Sequence, residues 1–233
     1  MAEASNSIST EDAWRIRSVL SPPRLSTYEP PSVTAKPGET SVQAAVRLYQ
    51  WNAEVSAAFW PVINVFEVAV RNAISTVISQ VHGQDWAHDP SFINKLPNPT
   101  GPVYNPRKDL KRMADLHKTT GKVIPELKMS FWEKMLTKRH DGDFWSLYMN
   151  VGFPYLPPGS HQAHRNELRS RYERVRKMRN RLGHHEAIFD STRFSLHAIF
   201  FDMVQVLEWR EPAVSDWVMQ FELVQQTLTK RPT

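Results

Sequence analysis

The chain predicts an all-α fold, and three observations carry that prediction. Apolar residues recur at steps of three, four and seven through several long segments, the stripe of a helix with one buried face. No stretch reads as a convincing strand, and no repeat of fixed period appears. The 17 prolines of the 233 residues gather in a few stretches and so punctuate between helices. With 41% hydrophobic residues the chain has enough material for one substantial core. The expected organisation is a proline-rich N-terminal arm, residues 1–40, followed by a helical domain, residues 41–233, whose connecting loops are also rich in proline.

The arm opens with a short helix from Thr10 to Val19, capped by Thr10 with Asp12 in its first turn. Ser21-Pro22-Pro23, Pro30-Pro31 and Pro37-Gly38 then prevent regular structure for long, so the arm wraps on the body or moves. Ser41 starts the first long helix, with Val42, Val46, Tyr49 and Val55 as apolar positions and Pro61 as its end or kink. A second helix runs to His82, with Val65, Val68, Ile74 and Ile78 on its core side and Gly83 as a stop.

Residues 84–106 are mainly loop, with a short helix at Ser91 to Lys95. Short helices follow at Pro106 to Lys118, at Val123 to Leu136 with a break near Lys128, and at Asp143 to Met149. Phe131, Trp132, Phe144, Trp145 and Tyr148 read as core and not as a base-stacking platform, because interleaved charge is missing. Gly152 to Ser160 is a second proline-rich linker. Beyond the basic helix described next, Ser191 to Glu208 reads as buried through Leu196, Ile199, Phe200, Val204 and Leu207. The last helix, Pro212 to Leu228, has Trp217, Phe221, Val224 and Leu228 on one side.

Between Arg165 and Glu186 eight Lys/Arg face three acids, a surplus of +5 that equals the formal charge of the whole chain. The basic balance, with a pI of about 9.5, favours an acidic partner, nucleic acid ahead of an anionic membrane. The candidate RNA contacts are Arg165, Arg169, Arg174, Arg176, Lys177 and Arg181. The same segment has a core stripe, Leu168, Tyr172, Val175 and Leu182, and Arg179 falls inside it. A guanidinium there needs an anion, a crevice or an interface, or it snorkels to solvent. Gly183 is the expected left-handed residue at the helix end, which gathers Arg179 and the pair His184-His185 at one exit.

Cysteine is absent, which excludes disulfide scaffolds, thiolate zinc sites and cysteine nucleophiles. No secretory signal or membrane-spanning run is evident, and a cytoplasmic protein without membrane attachment is expected. Metal chemistry fits badly. His185-Glu186 begins a zincin motif, but its second histidine would have to stand where Phe189 does, and His161 with His164 lacks a third ligand. No phosphate-loop or dinucleotide motif appears, so no cofactor is implied.

Arg179-Asn180-Arg181-Leu182-Gly183-His184-His185-Glu186-Ala187-Ile188-Phe189 resembles the signature of the Abi-like (abortive infection) proteins of the HEPN superfamily. Two departures are Gly183, where the family often has Ala, and Ala187, where it often has Pro. Leu48-Tyr49-Gln50-Trp51-Asn52 with Ala58-Phe59-Trp60-Pro61, then Glu67-Val68-Ala69-Val70-Arg71-Asn72-Ala73-Ile74, is similar to the family's first helical hairpin. Leu127-Lys128-Met129-Ser130-Phe131-Trp132, Phe144-Trp145 and Phe153-Pro154 look like its middle section.

The resemblance implies a HEPN-like helical bundle and a metal-independent endoribonuclease, a toxin or antiviral effector. In that reading His184 is the general acid/base, Arg179 the phosphate clamp and Asn180 an orienting group. His185 and Glu186 support them, and so does a second set, Glu67, Arg71 and Asn72. Glu67 and Arg71 read equally as a plain i,i+4 ion pair. The family's sites are composite, so a homodimer is implied, and a nuclease of this kind calls for a restraining protein or RNA partner. The alternative is a non-catalytic RNA-binding or regulatory module of the same fold.

Overall fold

A computed structural model describes residues 8–189 and 195–232. The fold is all-α, with no strand among the described residues. Its helices are α1 (Thr10–Leu20), α2 (Pro22–Ser26), α3 (Ser41–His82), α4 (Pro90–Lys95), α5 (Pro106–Leu116), α6 (Thr120–Val123), α7 (Met129–Met135), α8 (Ser146–Gly152), α9 (His161–Gly183), α10 (Leu196–Arg210), α11 (Pro212–Phe221) and α12 (Val224–Thr229). Short 3-10 segments at Trp86–His88, Ile124–Glu126 and Lys138–His140, and a π segment at Asp141–Trp145, join them. The chain divides into two compact units. The first comprises Met1–Pro61, Arg181–Leu196 and Glu222–Thr233; the second comprises Val62–Asn180 and His197–Phe221.

In the first unit, Ser9 and not Thr10 caps α1: its hydroxyl accepts from the Asp12 amide at 3.0 Å. The arm is more regular than its prolines suggest, because Pro22 and Pro23 sit in the first turn of α2, where a missing N–H costs nothing. Leu25, Tyr28 and Val33 are buried and anchor the arm. They join Val42, Leu48, Trp51, Val55 and Phe59 of α3, and Leu182, Ile188, Phe189 and Val224. Tyr28 packs on Tyr49 and Phe189, with ring centroids 4.9 and 5.2 Å away, and Trp51 Nε1 donates to the Thr227 carbonyl at 2.8 Å.

Pro61 neither ends the first long helix nor starts a second: α3 is continuous over 42 residues, and the division between units falls at the proline. A proline removes one ladder donor, and the burial of neighbouring apolar residues offsets the loss. The joined helix also corrects the expectation that no segment is long and apolar enough to span a bilayer, since one window of α3 reaches a mean hydropathy of 1.4. That window is 33% buried, with Val55, Phe59, Val62, Ile63 and Phe66 fully buried along the helix. Gly83 does stop the helix, at φ 76°.

The second unit packs Val62, Ile63, Phe66, Val70, Ile74, Val77 and Ile78 against Leu168, Tyr172, Val175 and Met178 of α9. Val65 and Val68, expected in this core, are only half-buried, because the true stripe runs one residue away. Phe131, Trp132, Phe144 and Trp145 are core as expected, while Tyr148 is half-exposed. Gly152 marks a close approach: a Cβ there would lie 2.7 Å from Val77 Cγ2. The expected start of the next helix, Ser191 to Phe194, lies outside the described residues, and α10 begins at Leu196. The expected last helix is two, α11 and α12, with Trp217 53% exposed and Val218 buried in its place.

Candidate functional site

The end of α9 is built by a Schellman turn, and its left-handed residue is His185, at φ 54°, instead of Gly183. Gly183 stays helical. The Glu186 amide donates to the Arg181 carbonyl at 2.9 Å and the His185 amide to the Leu182 carbonyl at 3.0 Å, the two bonds that define the motif. Histidine is among the few side chains that enter this conformation with any frequency.

Three side chains of the first unit tie this turn down. Arg24 Nη1 donates to the His185 carbonyl at 2.6 Å. Arg181 donates through Nε and Nη2 to the Ala187 carbonyl at 3.0 and 2.6 Å, and its Nη1 lies 3.0 Å from Glu186 Oε2. The buried Asn52 accepts from the Ile188 amide at 2.9 Å. Arg181 is thus a clamp and not an RNA contact: its guanidinium is committed to the backbone of the turn. Arg24 and Asn52 were missed as functional residues. The only signal for Asn52 was its place in the first hairpin block, and Arg24 carried none.

His184, His185 and Glu186 are all exposed. The His184 ring makes no hydrogen bond among the described residues. His185 borders a cavity of about 230 Å³ with Tyr28, Tyr49, Asn52 and Trp60. Burial, then the neighbouring Tyr49, pushes the Tyr28 hydroxyl up to about 12, so it remains a neutral donor.

The second unit gathers a different set. Arg179 and Asn180 line a cavity of about 490 Å³ with Glu67 and Arg71 of α3. Glu126, Lys128, Ser130, Trp132, Tyr172 and Arg176 complete its polar wall. Glu67 supplies the anion that Arg179 needs, with Arg179 Nε 4.0 Å from Glu67 Oε2. Among the described residues Glu67 and Arg71 form no ion pair within 4.0 Å, although the Arg71 charge acts on the Glu67 carboxyl. Burial pushes the Glu67 carboxyl up, against the pull of Arg179 and Arg71. Asn72 is exposed and does not line this cavity, so it is not part of the gathered set: on the helix it points one residue away from Arg71.

Most of the cations on α9 are already paired. Arg165, expected to contact RNA, is 3% exposed and bonded to Asp141 through Nε and Nη2, so no ligand outside the fold reaches it. Arg171 and Arg174 share Asp202, Arg174 through two bonds of 2.6 and 2.9 Å. Arg176 bonds Glu133. Arg169 is half-buried; Lys177 and Arg174, with side chains 55% and 45% exposed, stay accessible although Lys177 pairs with Glu173 and Arg174 with Asp202. The net charge of the segment stands, but acids from elsewhere in the second unit neutralise much of it locally.

Among the described residues no group of three or more His, Asp or Glu is arranged to hold a metal ion. His164 is buried beside Gly159, and His161 is half-buried. The chain matches no protein-family model, no curated protein and no solved structure, so its assignment rests on the residues themselves.

Proposed function

We propose that the chain is a metal-independent endoribonuclease of the HEPN type, an antiviral or toxin effector that works as a homodimer. The observation that supports this best is the construction of the turn after α9. Arg24, Asn52 and Arg181 fix its backbone, while His184 is left exposed with no side-chain partner. A fold that commits three side chains to one turn and leaves its histidine unengaged has the form of a presented acid/base group.

RNA brings its own nucleophile. His184 takes the proton of a 2′-OH, whose oxygen attacks the adjacent phosphorus. The bond to the 5′-oxygen breaks, and that oxygen leaves with a proton from a second acid, the same histidine of the second copy. The products are a 2′,3′-cyclic phosphate and a 5′-OH. The resemblance assigns the extra charge on the phosphate in the transition state to Arg179 and its orientation to Asn180.

The test is cleavage by purified protein with the ends mapped chemically. Wild type should leave cyclic phosphate and 5′-OH ends and be indifferent to chelator. His184→Ala should lose at least about a hundredfold in rate while retaining RNA binding. If wild type leaves every class of RNA intact, with and without candidate activators, the nuclease reading fails.

A further inference from the structure

The cavity beside the His-His-Glu turn has no part in the cleavage chemistry. It lies wholly within the first unit, holds about 230 Å³, and is walled by Tyr28, Tyr49 and Trp60. Trp60 is 39% exposed and Tyr49 is half-buried, so this aromatic wall is reached from outside the fold. Asn52, Ser56 and His185 are the polar residues along it. Asn52 is 6% exposed, and its amide is fixed end for end: Oδ1 accepts from the buried Ile188 amide at 2.9 Å, so Nδ2 is the end left over. That nitrogen has no acceptor among the described residues, yet it is not enclosed as the Tyr28 hydroxyl is. The surface it retains belongs to the cavity that Asn52 lines. Ser56 is fixed in the opposite sense. Its hydroxyl donates to the Asn52 carbonyl at 2.6 Å, so towards the cavity its Oγ can only accept.

We infer that this cavity receives one base of single-stranded RNA and so selects the position presented to His184, with Asn52 and Ser56 reading the base edge. Unstacked bases are held by aromatic faces and by hydrogen bonds to their edges, which carry donors beside acceptors. One oriented donor and one oriented acceptor next to aromatic rings match that chemistry. A volume of about 230 Å³ lies below the roughly 300–1,000 Å³ of sites for drug-sized ligands, so one ring system fits and a whole nucleotide does not. His185 borders the cavity and His184 precedes it in the chain, with Cα atoms about 3.8 Å apart. A base held here therefore brings its own ribose close to the exposed histidine. The inference rests on RNA being the substrate and adds the feature of RNA that the site reads.

The experiment titrates the full chain calorimetrically with short 2′-O-methyl RNAs that cannot be cleaved and that carry a single base, A, C, G or U, between abasic positions. Cleavage sites are mapped in parallel on an unmodified RNA containing all four bases. Wild type should favour one base over the least favoured by about tenfold or more, and the mapped cuts should follow that base. Asn52→Asp keeps an oxygen for the Ile188 amide and turns the donor into an acceptor. Ser56→Ala removes the acceptor, and because the hydroxyl only bonds back to the helix carbonyl four residues earlier, the fold should not change. Each variant should reduce the preference about tenfold while binding a wholly abasic strand as wild type does. The inference is overturned if wild type binds the four RNAs alike, or if Ser56→Ala and Asn52→Asp, shown to be folded by circular dichroism, keep the wild-type preference. Should Asn52→Asp not fold, Ser56→Ala alone decides. A base preference without cleavage removes the nuclease and keeps the pocket, cleavage without a preference does the reverse, and no binding at all overturns both.

Discussion

The turn after α9 and the cavity beside Arg71 treat their polar groups in opposite ways. In the first unit, the backbone of the His-His-Glu turn is tied by Arg24, Asn52 and Arg181, and His184 and His185 are exposed. In the second, Arg71, Trp132 and Tyr172 bury donors that have no acceptor among the described residues. A group satisfied inside the fold contributes to stability; a buried group left without a partner costs stability. The two regions therefore differ in what substitution should do to them.

The largest effect expected concerns a third buried group, His140 of the second unit, which is 2% exposed and stacked on Phe144 with ring centroids 5.1 Å apart. Burial lowers its pKa from 6.5 to about 4; Asp143 and Asp141 pull it up, while Arg139 and His82 push it down. Between those values the unfolded chain binds a proton that the folded chain does not. Stability is therefore fully present above about pH 6.5 and falls as pH drops towards 4, by roughly 3 kcal/mol. Urea titrations at pH 7 and pH 5 should show the loss, and His140→Phe should flatten it. An unchanged slope in that variant would assign the acid sensitivity to other groups.

Next in size is Asn52→Ala in the first unit. It leaves the buried Ile188 amide without an acceptor and should cost about 1–3 kcal/mol in thermal or denaturant unfolding. It should also slow any RNA cleavage, because the backbone that presents His184 loses an anchor. A variant as stable as wild type would mean that the turn is not held from within.

Smaller, and opposite in sign, is His185→Gly. Its backbone sits at φ 54°, where glycine pays no steric penalty, so the fold should gain about 0.5–1 kcal/mol. A loss instead would mean that the imidazole's contact with the cavity beside Tyr28 outweighs the strain.

These cases show which parts of the architecture were legible. The stripe Leu168, Tyr172, Val175 and Leu182 predicted the buried face of α9, because periodicity reports burial directly. The need of Arg179 for an anion was legible too, and Glu67 meets it. The neutralising acids were not: Asp141, Glu133 and Asp202 are far from α9 in sequence and carry no local mark of their partners. Nor was the register of the Schellman turn, since glycine is the better left-handed residue and tertiary clamps on the following turn overrode that preference. Trp132 and Tyr172 were legible only as core, because an aromatic at helical spacing says that its ring is buried and nothing about its heteroatom.

The smallest expected effect sharpens the comparison most. Tyr172→Phe removes a hydroxyl that has no acceptor among the described residues and keeps the ring that packs on Phe66, centroids 5.6 Å apart. Deleting a satisfied buried hydroxyl of this size would cost about 1 kcal/mol or more; deleting an unsatisfied one should be neutral or slightly stabilising. Equilibrium unfolding should therefore place the variant within about 0.5 kcal/mol of wild type. If the variant is strongly destabilised, Tyr172 has a partner in the fold, and the contrast with the satisfied turn disappears.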